Sequence, residues 1–336
     1  MMVVIMTFRI VFFGTSDFSL PSLQALINDP RFEIVAVITK PDMKVGRHQE
    51  TVEPPVKKIA KKHKIPVYQF EKIKTEETFE NLRNLQTEKD VDAFVVVSYG
   101  KIIPQRILDL PKHGAINVHG SLLPLYRGAS CVQAAIAAGD KKSGVTIMLI
   151  DAEMDHGPIL AQKEIAIRPD DTGRTLHDRL ADVGAVLLPN VLADYMEGKI
   201  TPQEQDHSKA TYCKILKRGD GKIDWSKSAE EIERLVRAYD SWPGTFTILK
   251  NKRIKILNTL TTHKAPPPLR DPATCIQIET GQLTTPDKSG VWFIEDGKLL
   301  VNCGGGTVLE ILKLQPEGGK ALTAKEFLSG YRSFVE

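Results

Sequence analysis

The sequence predicts an α/β chain in two parts: a mostly parallel sheet with helices on both faces, followed by a smaller β-barrel domain. Three observations predict it. Short apolar runs of strand type alternate with amphipathic helical stretches as far as residue 196, then give way to short β-rich segments separated by Pro and Gly. The length, 336 residues, exceeds the roughly 100–200 typical of one domain.

The elements follow in order. Arg9-Ile-Val-Phe-Phe13 is a buried-type strand, Gly14-Thr-Ser-Asp-Phe18 a turn, and Pro21 to Asn28 a helix with proline suited to its first turn. Glu33 to Ile38 repeats the strand, with a loop and then a helix from Val56 to His63. Ala93 to Val97, Ala115 to Val118 and Gly144 to Ile150 are further strands, and Thr175 to Met196 is a helix. This order gives a Rossmann-like sheet with its ligand site at the carboxyl ends of the strands. Residues 1–198 form the expected first domain. The polar, proline-containing stretch 199–216 reads as a linker, and residues 217–336 as the second domain. There Asp224-Trp225 precedes a helix, Ala229 to Tyr239. Five short strands, Thr245–Leu249, Arg253–Leu257, Cys275–Ile278, Val291–Ile294 and Val308–Leu314, suit a small barrel.

Composition narrows the function. Hydrophobic residues are 42% and charged residues 26%, as in ordinary soluble globular proteins. The four cysteines, Cys131, Cys213, Cys275 and Cys303, form no C-x-x-C pair and read as reduced thiols, so a cytoplasmic location is expected. The apolar start has no basic n-region and is interrupted by Arg9, so no signal peptide is expected, and no run approaches a membrane span. Net charge is +3, and all of the excess lies after residue 210. Between Ser241 and Arg270 there are six Lys or Arg and no acid, a bias suited to a polyanion or to a plain solvated face.

The motifs exclude more than they assign. The first turn lacks G-x-G-x-x-G, so no nicotinamide or flavin is expected; Walker A, H-E-x-x-H and G-x-S-x-G are also missing. No set of three or four ligands stands at metal spacing. What remains is Ala115-Ile-Asn117-Val-His119-Gly-Ser121-Leu-Leu-Pro124, where strand alternation turns Asn117 and His119 to one face, and Met154-Asp155-His156-Gly157 beyond a later strand. On the residues alone, a histidine hydrogen-bonded to an asparagine and an aspartate in a turn explain both.

Asn117-Val-His119-Gly-Ser-Leu-Leu-Pro124, Tyr126-Arg-Gly-Ala129, Gly144-Val-Thr-Ile147 and Asp155-His-Gly157, with 38 residues between Asn117 and Asp155, together resemble the signature of folate-dependent formyltransferases. Lys40-Pro-Asp42, Gly46-Arg47, Ser98-Tyr-Gly100, Ile223-Asp-Trp225, Trp242-Pro243, Leu314-Gln-Pro-Glu-Gly318 and Phe327 to Arg332 resemble the branch acting on methionyl-tRNA. The resemblance spans nearly the whole chain and implies an OB-like second domain that helps hold tRNA.

It also implies the chemistry: formyl transfer from 10-formyltetrahydrofolate to the amino group of methionyl initiator tRNA, without a metal. Asn117 would donate to the oxyanion. His119 and Asp155 would handle the amine proton, which of the two being open. Ser121, Leu122, Leu123 and Pro124 would border the formyl-folate, and Ile150, Asp151, Ala152, Glu153 and Met154 would contact its pteridine largely through backbone. Lys44 and Arg47 would grip the acceptor stem, and Lys250, Lys252, Arg253 and Lys255 would meet tRNA phosphates, with Arg253 and Lys255 on one strand face and Ile254 and Ile256 on the other. Cys131, near the site without a base of its own, reads as a packing residue. A monomer is expected. The competing expectations are a formyltransferase for an amino-sugar nucleotide and a catalytically inactive RNA-binding relative.

Overall fold

The computed structural model describes residues 7–45, 49–262, 289–331 and 335. Residue contacts divide the chain into two units. One runs to Cys131 and takes in Lys142–Ala166 and Leu176–Lys214; the other comprises Val132–Lys141, Ile167–Thr175 and the chain from Ile215. Among the described residues no helix is long and apolar enough to cross a membrane.

The first unit is built on strands β1 (Phe8–Gly14), β2 (Phe32–Thr39), β3 (Met43–Val45), β4 (Glu50–Val52), β5 (Val67–Gln69), β6 (Ala93–Val97), β7 (Ala115–His119), β8 (Arg127–Gly128), β9 (Lys142–Leu149), β10 (Ile159–Ala166) and β11 (Tyr212–Cys213). Seven of these form one sheet in the order β10-β9-β7-β6-β1-β2-β5. The β5-β2-β1-β6-β7 run is parallel, and β9 enters antiparallel to both β7 and β10. Strands covered on both faces need continuous apolar sequence, and β6, Ala-Phe-Val-Val-Val, is buried at every position. The unit's helices are α1 (Leu20–Asn28), α2 (Pro55–Lys62), α3 (Glu76–Lys89) and α4 (Gln105–Leu108); α5 (Cys131–Ala138) falls in the other unit after its first residue, and α6 (Gly173–Met196) in the first unit from Leu176 on. Pro21 lies in the first turn of α1, and the Thr75 hydroxyl caps α3 by accepting from the Thr78 amide. Phe13, Phe94 and Tyr99 pack into one core cluster with Val11, Ile38 and Ile107.

Two stretches differ from the sequence reading. The loop after β2 contains a hairpin, β3 with β4, in which even Met43 and Val52 are exposed, so it carries no core pattern. Residues 199–214, expected as linker, group with the first unit: Gln203 bridges Ile159, and β11 pairs with β8 in parallel. Polar composition was misleading there because Gln205 is buried on account of its hydrogen bonds.

The second unit carries α7 (Ala229–Ala238), then β12 (Thr245–Leu249), β13 (Lys252–Thr262), β14 (Trp292–Glu295), β15 (Lys298–Cys303), β16 (Thr307–Pro316), β17 (Leu322–Thr323) and α8 (Ala324–Tyr331). The strands form an antiparallel sheet, β12-β13-β16-β15-β14, with β17 on β16. A capping box starts α7: the Ser228 hydroxyl accepts from the Glu231 amide, and the Glu231 carboxylate accepts from the Ser228 amide. The hairpin β12–β13 turns on Lys250 and Asn251, both with positive φ, as a two-residue turn matched to strand twist requires. Ile254 and Ile256 of β13 face a core with Ile232, Trp292, Leu309 and Phe327. The strand runs past the expected Leu257 because a register shift at Asn258 restarts the alternation, burying Thr259. The expected strand Cys275–Ile278 lies outside the described residues.

Candidate active site

β7 is a central strand, with Asn117 paired to Val96 on one side and Met148 on the other, and His119 opposite Thr146. Val118 is buried in the sheet while Asn117 is half-buried, as alternation predicts. The connection from β9 to β10 brings Asp155 to both polar residues. Its Oδ1 lies 3.4 Å from Asn117 Nδ2, which donates to it, and 3.7 Å from His119 Nδ1. Its Oδ2 accepts from the Gly128 amide at 2.8 Å. The three residues therefore converge on one carboxylate.

Asp155 takes a left-handed backbone, φ 50°, which a short polar side chain tolerates at a cost on the order of 1 kcal/mol. A neighbouring glycine is required: a Cβ on Gly157 would collide with the Leu149 carbonyl. Gln205 Nε2 donates to the carbonyls of Asp155 at 2.9 Å and Gly157 at 2.8 Å. These bonds hold the connection in place.

His119 is 7% exposed. Its Nε2 lies 3.0 Å from the Tyr126 carbonyl, which can only accept, so that nitrogen carries a proton. Burial on its own would lower the pKa, but the neighbouring Cys131 sulfur, the Asp155 carboxylate and the Tyr126 carbonyl outweigh it and hold the ring at about 9. The Nδ1 that faces Asp155 Oδ1 therefore favours a proton. Cys131, buried as expected of a packing residue, also adjoins this ring. Burial, followed by Cys131, pushes the Cys213 thiol up to about 11, and Cys213 donates from Sγ to the Arg127 carbonyl at 3.2 Å.

The raised His119 value has a sign for stability. A group whose folded pKa exceeds its unfolded one stabilises fully below the unfolded value, ordinarily 6.5, and that contribution is lost as pH rises through about 9. The thermal midpoint of the wild type is expected to fall across this window, and that of His119→Gln to fall less. Parallel melting curves against pH for the two proteins would rule out His119 as the titrating group.

The chain leaving β7 is anchored by Thr146, whose hydroxyl donates to the Ser121 carbonyl at 2.7 Å and accepts from the Leu123 amide at 3.1 Å. The Ser121 hydroxyl is turned inward onto the Leu125 carbonyl, and Leu123 is core. Leu122 and Pro124 are half-buried. On the other side Ile150 is half-buried, Asp151 accepts from His156 Nδ1 at 2.7 Å, and Ala152, Glu153 and Met154 are exposed. Lys44 is exposed on β3, while Arg47 lies outside the described residues. Two acids of that region are already engaged: Lys57 binds Asp42 and Glu53, and Lys61 binds Glu53.

In the second unit Lys250 occupies the hairpin turn and Lys252 opens β13. Arg253 and Lys255 share the outer face of β13, opposite Ile254 and Ile256. With Lys313 they line a cavity of about 480 Å³ whose other walls include Ser241, Pro243 and Asn258. The Arg253 guanidinium lies 3.5 Å over the Phe246 ring, and its buried Nε has no hydrogen-bond partner among the described residues.

Sequence reasoning passed over Gln205, His207 and Arg127. Arg127 stands within Tyr126-Arg-Gly-Ala129, and its side chain is buried. Gln205 carried no sequence signal, since its two acceptors stand about fifty residues earlier.

Comparison with known proteins shows the family. Residues 8–192 match the family model described as formyl transferase, and residues 215–332 match that of the formyl transferase C-terminal domain. The methionyl-tRNA formyltransferase of Thermodesulfovibrio yellowstonii is 41% identical over 325 residues, 97% of this chain and 96% of that protein. That of Geobacter sulfurreducens is 38% identical over 324 residues, 96% of this chain and 94% of that protein. Among solved structures, an N-formyltransferase from Helicobacter canadensis, in complex with folinic acid and dTDP-3-aminofucose, superposes with a TM-score of 0.60 at 18% identity, covering 91% of this chain and 99% of that one. This last likeness concerns the fold alone. With both family models in register and relatives matching almost end to end, the chain belongs to the formyl transferase family, among the methionyl-tRNA formyltransferases.

Proposed function

We propose that this chain transfers the formyl group of 10-formyltetrahydrofolate to the amino group of methionyl initiator tRNA, as a cytoplasmic monomer. The observation that carries the reading is the convergence of Asn117 and His119 on the Asp155 carboxylate in a chain whose relatives are methionyl-tRNA formyltransferases. The neutral amine attacks the formyl carbon, and Asn117 Nδ2 donates to the oxygen as it becomes anionic. Asp155 takes the amine proton. Support for that assignment comes from the setting of His119, whose Nε2 is committed as donor to the Tyr126 carbonyl and whose Nδ1 faces Asp155 Oδ1, which leaves the carboxylate as the open acceptor. The C–N bond to the folate nitrogen then breaks as that nitrogen receives, relayed through His119, the proton that Asp155 took from the amine. His119 Nδ1, 3.7 Å from Oδ1, also orients Asp155.

Leu122, Pro124, Ile150 and Met154 give apolar edges suited to the flat folate ring, the 151–153 segment contributes through backbone, and Ser121 and Leu123, bonded to Thr146, fix the course of the bordering chain. Catalysis falls to residues 1–198 and tRNA docking to 217–336. Arg253 and Lys255 are the phosphate contacts of this reading, with Lys250, Lys252, Lys44 and Arg47 as lesser ones; the cavity that Arg253 and Lys255 line together with Lys313 supports it.

The test is formyl transfer from 10-formyltetrahydrofolate to initiator methionyl-tRNA, compared with elongator methionyl-tRNA and with an amino-sugar nucleotide. Initiator methionyl-tRNA is expected to be formylated fastest. Arg253→Gln with Lys255→Gln is expected to raise KM for tRNA about tenfold, leave kcat unchanged and reduce the salt dependence of binding by about two charges. Faster transfer to the sugar would overturn the acceptor assignment, and an unchanged salt slope would reduce the cluster to a solvated face.

A further inference from the structure

Behind Asp155 lies a buried cation that the transfer chemistry does not use. Arg127 is 1% exposed, and its guanidinium has three side-chain partners, none of them a carboxylate. Nε and Nη2 reach Gln205 Oε1 at 3.2 and 2.7 Å, Nη1 reaches the Tyr212 hydroxyl at 3.1 Å, and Nη2 lies 2.8 Å from His207 Nδ1. Gln205, itself 5% exposed, spends its other end on the carbonyls of Asp155 and Gly157. Its carboxamide is therefore fully committed: the oxygen faces the cation and the nitrogen bridges the two sides of His156.

The same arginine acts through its neighbour. Gly128, next in the chain, donates its amide to Asp155 Oδ2. Asp155 is thus fixed at its main chain through Gln205 and at its carboxylate through Gly128, and Arg127 sets both arms. The left-handed backbone at Asp155 makes this support necessary, because a loop carbonyl without a donor has no reason to keep that orientation. His156, inside the bridged turn, stacks on His207 with ring centroids 4.0 Å apart, which closes the arrangement on its outer side.

We infer that Gln205, oriented by Arg127, is a positioning residue for formyl transfer: its two N–H donors keep Asp155 Oδ1 trained on Asn117 and His119. The inference rests on Asp155 being the group that accepts the amine proton. Reacting groups tolerate little displacement, and an error of about 1 Å costs on the order of a hundredfold in rate.

Gln205→Glu separates positioning from structure. A carboxylate there still satisfies Arg127, now as an ion pair, but has no N–H for the two carbonyls. Gln205→Leu removes both functions. In the full-length protein, kcat is expected to fall roughly 10- to 100-fold in Gln205→Glu, with KM for tRNA and for the formyl-folate within about twofold of wild type. The loss is expected to disappear when Asp155→Asn is already present, since there is then no base to aim. Wild-type kcat in folded Gln205→Glu overturns the inference, as does an equal loss on the Asp155→Asn background, which marks a structural effect. If Gln205→Glu does not fold, Gln205→Leu is judged by the same two criteria; if neither folds, Gln205 is a structural residue and the inference fails. A wild-type protein that formylates no methionyl-tRNA overturns the reading beneath it instead.

Discussion

Asp155→Asn is expected to lower kcat by roughly a thousandfold while KM for both substrates changes by no more than a few fold. The substitution keeps size and shape, and the new side-chain oxygen can still accept from the Gly128 amide, 2.8 Å from the present Oδ2. What changes is the atom that faces the reaction. In place of Oδ1 an N–H pair would confront Asn117 Nδ2 and the His119 ring, donor against donor. The amine then has no base, and its proton must leave to water, the kind of loss for which general-base catalysis is worth about 10²–10⁴. The ring also loses the negative partner that helps to hold it at about 9, so the alkaline limit of activity should move down in the variant. Single-turnover measurements across pH test both parts. Near wild-type turnover would remove Asp155 from the mechanism and leave its convergence with Asn117 and His119 a matter of loop structure.

Much of the first unit was legible because its strands are covered on both faces. Arg9 to Phe13, Glu33 to Ile38 and Ala93 to Val97 need unbroken apolar runs, and such runs stand out. Where burial is one-sided or achieved by hydrogen bonds, the signal weakens. The hairpin of β3 and β4 buries too little to impose a pattern, and the strand from Lys298 to Cys303 escaped notice beside Gly-rich turns. At the site, the reason Asn117 and His119 share a face was readable from period-two alternation. That Asp155 joins them was not, because the approach depends on a left-handed residue, a glycine that no other residue can replace, and a glutamine in a stretch whose polarity resembles a linker. Long-range side-chain to main-chain bonds leave no local periodicity. Resemblance brought Asp155 into the trio, and the geometry supplies the reason it stays there.

Asn117→Ala carries the second large expected effect, a fall in kcat on the order of a hundred- to a thousandfold, the scale seen when one donor to a developing oxyanion is removed. Asn117 sits on a central strand bonded to both neighbours, so truncation at Cβ leaves the sheet intact and the loss belongs to the side chain. Its signature should differ from that of Asp155→Asn. Asn117 has no titratable group and acts on the oxygen rather than the amine, so the pH profile of the variant should be lowered without being displaced. Asn117→Asp makes a sharper comparison. It places a second carboxyl beside Asp155, 3.4 Å from the present Nδ2, and two acids that close share a proton, which raises the pKa of the pair and takes away the base together with the donor. That variant should therefore be slower than Asn117→Ala at neutral pH and recover part of its rate as pH rises. If instead the aspartate equals or exceeds the alanine, the Nδ2 of Asn117 is not the oxyanion donor, and the positive charge on His119 is left to carry that role alone.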